Sequence, residues 1–238
     1  MAFEPRYRFD NWNRYISFMS GLHVDSVIKS FDNRQVLTDI FLACERGEII
    51  GLLGRNGTGK STLLKIIFGS QQAERKFVKV DGRIVNGIFG NSKQVNYLPQ
   101  HNFLPSHVNV QRIIEVFCSR TNSVLVSKHH LIEPMLKLKY RELSGGEKRI
   151  LEIFLIVYSN SKYTLIDEPF NGIAPVYKDE IKRIITEQSR HKGFIITDHD
   201  YRNVLDVATR IIIIHDGGTK EVKSKEDLVD WGYIPKAV

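Results

Sequence analysis

The sequence predicts an α/β protein whose mostly parallel sheet carries an antiparallel β subdomain and a short α-helical subdomain. One observation behind this is that residues 163–166, 194–196 and 211–214 are continuous apolar, β-branched-rich runs without alternation, the pattern of strands buried on both faces. A second is that helical stretches at 176–190 and 201–208 separate those runs, and strand alternating with helix builds a parallel sheet. The third is a tight strand, glycine loop, helix unit between residues 48 and 68.

Taken in order, residues 23–31 and 35–44 read as β-strands, and 48–53 as a buried third strand running into Gly54. A helix follows over 60–68, with Leu63, Leu64, Ile66 and Ile67 on its apolar face and Gly69 as its stop. Short apolar runs at 77–85 and 95–98 add strands. Helical periodicity then recurs at 110–117, 127–138 and 145–158 without a convincing strand, so 101–161 is expected to form a helical subdomain. Residues 21–238 form one domain on this reading, with 21–100 and 162–238 as its α/β core, and residues 1–20 are an N-terminal arm or a mis-assigned start.

Composition narrows the function. At 238 residues and 42% hydrophobic, the chain buries a core without metal or disulfide staples, so Cys44 and Cys118 read as reduced core thiols. The formal charge of +7 is spread without a dense basic block or arginine-rich arm, and nucleic acid is not an expected partner. No apolar run approaches the ~18 residues of a membrane span. The start carries Arg6, Arg8, Asp10 and Arg14 among aromatics, unlike a secretory leader, so the expected location is the cytoplasm. The His129-His130 pair, placed on a helix, would point to different faces and reads as a surface pair rather than a metal site.

Gly54-Arg55-Asn56-Gly57-Thr58-Gly59-Lys60-Ser61 matches the phosphate-binding loop G-x-x-x-x-G-K-[ST], between a strand and a helix as the motif requires. Its glycines let consecutive N–H groups converge on an anion, and the following helix adds its positive end. Asn56, Gly57, Thr58, Gly59, Lys60, Ser61 and Thr62 are therefore the expected ATP ligands; Lys60 reaches the terminal phosphates and Ser61 ligates Mg²⁺. The run Tyr163-Thr164-Leu165-Ile166-Asp167-Glu168 ends an apolar strand in two acids at the edge where such sheets bind ligands. Asp167 would hold Mg²⁺, and Glu168 would orient or deprotonate the attacking water. The fold expected is that of a RecA-like P-loop NTPase.

Leu143-Ser144-Gly145-Gly146-Glu147 lies between these two motifs, and with it the chain resembles the ATP-binding cassette (ABC) ATPases, whose signature it matches. The resemblance runs from Gly21 to about Lys223 and is similar in motif wording to the lipopolysaccharide-exporter and branched-chain amino-acid importer groups. It implies that Ser144, Gly145 and Gly146 open a helix as a second anion cradle, serving the ATP of a partner subunit. It implies that Gln100 ligates Mg²⁺, that His199 contacts the γ-phosphate, and that Phe31 stacks on adenine. Lys60, Glu168 and His199 then form the catalytic set. The implied protein is the ATP-hydrolysing subunit of a transporter, dimerising with itself or a related cassette around two MgATP and driving a separate transmembrane permease from the inner face of the membrane. The alternatives are a soluble, non-transport ABC ATPase, for example in iron–sulfur assembly, and a cassette that binds ATP but hardly turns over. Three departures stand out. Ala174 occupies the place of the D-loop aspartate, the interval from Gln100 to Leu143 is short, and residues 153–158 are bulky where relatives carry an alanine-rich helix.

Overall fold

The structure, a computed structural model, describes residues 20–85, 87 and 94–234. The reading of residues 1–20 as an arm or a mis-assigned start falls, but for Ser20, outside them. Among the described residues, ten strands hydrogen-bond in the order β5-β4-β1-β2-β10-β9-β3-β8-β7-β6. The parallel part consists of β9 (Arg210–His215), β3 (Ile49–Leu53), β8 (Gly193–Thr197), β7 (Tyr163–Asp167) and β6 (Val95–Leu98). The antiparallel part pairs β1 (Leu22–Phe31) with β2 (Arg34–Cys44) and with β4 (Arg75–Val80). The expected α/β class with an antiparallel β part is the class observed.

The continuous apolar runs have the physical cause expected of them. Successive strand side chains point to opposite faces, so Ile49, Ile166 and Ile196 join the core beneath the helices 110–157 and 175–189, whereas Ile50, Leu165 and Ile195 join the core shared with β1, β2 and helix α1 (Lys60–Phe68). Both layers are closed, so β3, β7 and β8 are apolar along most of their length, and the polar side chains they do bury, Thr164, Asp167 and Thr197, are hydrogen-bonded. Cys44 and Cys118 are free thiols buried in these cores, and burial pushes Cys118 up to about 11.

Helices α2 (Val110–Phe117), α3 (Arg120–Ser127) and α4 (Gly145–Val157) make up the helical segment. The helix expected over 127–138 is absent: α3 ends at Ser127, and only a 3₁₀ turn, Glu133–Met135, follows. Pro134 is the reason, since it has no N–H to donate and its ring clashes with the preceding turn. The strand expected over 77–85 is a hairpin, β4 and β5 (Arg83–Ile84), turning at Asp81 (φ 46°) and Gly82 (φ 82°). Two positive-φ residues give the turn that follows strand twist. An equivalent turn at Asp216 (φ 50°) and Gly217 (φ 76°) leads into β10 (Gly218–Val222), which the sequence reading missed. The core is completed by α5 (Pro175–Ser189), the short α6 (Tyr201–Leu205) and α7 (Lys225–Asp230), which Ser224 and Asp227 cap reciprocally.

Candidate active site

At the end of β3 the chain turns through Gly54 and enters α1 at Lys60, the order the loop motif demands. Gly59 has φ 98°, and a Cβ there would stand 2.8 Å from the side chains of Val36 and Leu37, so only glycine lets this loop press against β2. Lys60 is buried and lies back across its own loop, donating to the carbonyls of Gly54 (2.7 Å) and Arg55 (3.2 Å). Burial draws its ammonium below the ordinary lysine range, against the pull of Glu168 and Asp167. A charge held this way is poorly solvated and ready for an anion.

The two predicted metal ligands nearest the loop meet. The Ser61 hydroxyl donates to Asp167 Oδ1 at 3.1 Å, across the gap between α1 and the end of β7. Asp167 is buried and also accepts from Thr197 Oγ1 (2.8 Å) and from the Tyr97 hydroxyl (3.0 Å). Burial and the Asp167 carboxylate push Tyr97 far above the ordinary phenol range, which keeps it a donor. Three neutral donors fix a carboxylate without cancelling its charge. Ser61 and Asp167 thus present adjacent hard oxygen atoms, the donor type Mg²⁺ selects. Gln100 lies exposed two residues beyond β6, whose Leu98 pairs with Ile166 of β7, and so stands at the same sheet edge.

Glu168 sits one residue further, buried, with a left-handed backbone at φ 53°. Its N–H donates to the Thr197 carbonyl at 3.0 Å, which fixes a conformation that costs a non-glycine residue about 1 kcal/mol. Glu168 Oε1 lies 2.8 Å from His199 Nε2, while the His199 ring remains 54% exposed. The acid is sheltered and its imidazole partner faces out. Asp198, between strand and helix, shapes the loop opposite by accepting from the Phe170 N–H at 3.2 Å.

Ser61 meets Asp167, and Glu168 meets His199, beside Lys60; a cleft of about 290 Å³ adjoins them, lined by Lys60 and His199 of this set together with Gly54, Arg55, Asn56, Asp198, Tyr201 and Tyr233. Ser144, Gly145 and Gly146 lie outside that cleft. Ser144 caps α4, its Oγ accepting from the Glu147 N–H at 3.3 Å while Glu147 Oε2 accepts from the Ser144 N–H at 2.8 Å. Phe31 also stands apart, at the end of β1, 44% exposed with Lys29 Nζ 4.9 Å from its ring centroid.

Several site residues escaped the sequence reading. Arg149 of α4 is buried and donates to the carbonyls of Pro99 (2.6 Å), Asp167 (2.6 Å) and Glu168 (2.9 Å), binding the signature helix to both strand ends of the site. Its sequence signal was only its place five residues after Ser144, on the same face as Glu152. The C-terminal turn was missed too. Arg55 donates to the Gly232 carbonyl at 2.5 Å, Tyr233 lines the cleft beside Gly54, and the Tyr201 and Tyr233 rings meet edge to face at 6.1 Å.

A strand, a phosphate loop and paired acids at the carboxyl edge of a parallel sheet define a P-loop ATPase. Residues 37–171 match the ABC transporter family model, and the chain belongs to that family, as an ATP-binding and ATP-hydrolysing transporter subunit. It is 33% identical to the lipopolysaccharide export system ATP-binding protein LptB of Haemophilus influenzae, over 91% of this chain and 98% of that protein. Against the sulfate/thiosulfate import ATP-binding protein CysA of Bacillus cereus the identity is 29%, over 88% of this chain and 63% of the relative. A solved ATP-binding subunit of an ABC transporter superposes with a TM-score of 0.78 at 21% identity, covering 92% of this chain and 95% of that one. The soluble, non-transport alternative falls with the family assignment. Among the described residues no helix is long and apolar enough to cross a membrane.

Proposed function

We propose that two copies of this chain, or this chain and a related cassette, close around two MgATP and thereby drive a separate membrane permease, to which the subunit is held at the inner face of the membrane. The supporting observation is that the two anion cradles of one chain do not share a cleft. Lys60 and the loop amides surround one, whereas the Ser144 helix start opens outward, with Ser144 and Gly145 exposed. An exposed helix N-terminus bearing two glycines is suited to a phosphate delivered from outside its own chain. Residues 21–238 would then act as one cassette, with 101–161 as its helical part.

The geometry supports a role for each site residue in this reading. Phe31 offers an exposed aromatic face for adenine. Asn56 to Thr62 supply amides and the Lys60 ammonium to the phosphates. Ser61 and Asp167, joined by Gln100, would hold Mg²⁺, which when bound neutralises phosphate charge. Glu168 takes a proton from the attacking water, and His199, 2.8 Å away, fixes the carboxylate and reaches the terminal phosphate. Arg149 keeps the Asp167 and Glu168 backbone from shifting as charge moves.

Glu168→Gln tests this reading. The variant is expected to bind ATP, lose hydrolysis by about 10²-fold or more, and elute as a dimer in saturating ATP and Mg²⁺ on size-exclusion chromatography. A protein that stays monomeric there sinks the two-chain arrangement.

A further inference from the structure

We propose a second, separate metal site at the seam between the helical segment and α5, formed by His129, His130 and Glu180, that takes one borderline divalent cation such as Zn²⁺. One ligand atom of each residue lies within 4.8 Å of the other two. The arrangement follows from the helix break at Pro134. Residues 128–132 form a turn rather than a helix, so neighbouring side chains that a helix would splay instead stack, with ring centroids 4.5 Å apart and planes at 28°.

One His129 nitrogen already faces the carboxylate, with Nε2 2.8 Å from Glu180 Oε1. Nδ1 accepts from the Leu131 N–H at 3.3 Å, which puts the neutral ring's proton on Nε2. An ion binding at Nε2 therefore needs that proton to move to Nδ1 and the Leu131 N–H to be released, which leaves the ring in the tautomer that ligates. His130 is exposed and can swing; closing 4.8 Å to the spacing of donors around a tetrahedral ion takes a movement of about 1.5 Å. Two imidazoles and one carboxylate select Zn²⁺, Ni²⁺ or Cu²⁺ over Mg²⁺ and leave a position for water.

Arg183 is the competitor, since it donates to both Glu180 oxygens, at 2.9 and 2.6 Å. Its side chain is half exposed and also donates to Glu187, one turn further along α5. It can release Glu180 and keep an ion pair, and exposed pairs of this kind contribute little. Because Glu180 follows Ala174 by six residues, an ion here would pin the turn after α3 to the helix that leaves the Ala174 loop.

Zn²⁺ titration of the full, untagged chain without nucleotide, by calorimetry, tests the site. One saturable equivalent is expected. His130→Ala and Glu180→Gln should each weaken it by about tenfold or more, while Arg183→Gln tightens it severalfold. His130→Ala changes an exposed side chain remote from Lys60 and Glu168, and its MgATP hydrolysis without Zn²⁺ is expected to match the parent, which reports that it is folded. The absence of a saturable equivalent, or an affinity that both His130→Ala and Glu180→Gln leave unmoved, overturns the proposal.

Discussion

A carboxylate that must act on water has to be sheltered and fixed enough to aim, and Glu168 gets both from one backbone choice. Its left-handed φ of 53° turns it out of β7 toward His199, while the N–H stays tied to Thr197. The motif residues Lys60, Ser61, Asp167 and Glu168 were legible because each belongs to a short run whose chemistry needs neighbours in sequence. Arg149, Tyr97 and Thr197 were not, since their partners lie at least 18 residues away and an arginine on a helix ordinarily reads as surface. Lys192 shows the same blindness and yields a pH prediction. It is 4% exposed, its Nζ donates to the Ser159 carbonyl at 2.6 Å, and burial lowers it to about 8. The folded pKa lies below the unfolded value of about 10.4, so between those limits the unfolded chain binds more protons and stability rises with pH. Below about pH 8 the cost of the buried ammonium is constant. Urea melts of parent and Lys192→Met should therefore differ most in the variant's favour near pH 7, with the difference changing by on the order of 2 kcal/mol by pH 10. A difference that is flat across that range would mean Lys192 does not titrate in the folded protein.

Elements were legible where one period dominates. The β3, β7 and β8 strands and the α1 and α4 helices stand where the sequence put them, because burial on both faces or on one stripe leaves a clear pattern. The 127–138 helix failed because apolar spacing was weighed above Pro134. β10 was lost because its residues Gly-Thr-Lys-Glu-Val sit partly exposed and carry no apolar run, and only the Asp216-Gly217 turn announced them. The C-terminal α7 and the turn after it went unread for a similar reason, yet they reach the phosphate loop. Leu228 and Ile234 pack with Leu53 and Ile213, delivering Tyr233 to the cleft beside Gly54 and the Gly232 carbonyl to Arg55. This element is accordingly a brace for the loop rather than an appendage. Tyr233→Ala removes a ring that lines the cleft beside Gly54 and Lys60, so KM for ATP should rise severalfold with kcat nearly unchanged. Loss of melting temperature with no change in KM would make the contact structural only.

For the whole molecule, the proposed closure of two chains makes communication between sites a property of the interface, and here the loop before α5 carries Ala174 with no side-chain cap on that helix. A missing carboxylate should weaken the link between the two sites. ATP hydrolysis is expected to follow a Hill coefficient nearer one than two, rising in Ala174→Asp if the carboxylate finds a partner, a change that needs a coupling of only about 1 kcal/mol. Strong cooperativity in the parent, unmoved by Ala174→Asp, would show that the backbone of the loop already links the sites. The sheet order has a different consequence, for synthesis. Central β3 lies at residues 49–53, yet its hydrogen-bonding neighbours β8 and β9 begin at residues 193 and 210. At about 10 residues per second, a ribosome has made β3 more than ten seconds before either neighbour exists. During that interval Ile49, Ile50, Leu52 and Leu53 travel as an unpaired apolar strand, and the hairpin of β1 and β2 is the nearest shelter available. The nascent chain is therefore most exposed to misassociation just after its nucleotide loop has been translated, and a chaperone that holds short apolar segments would find its substrate there.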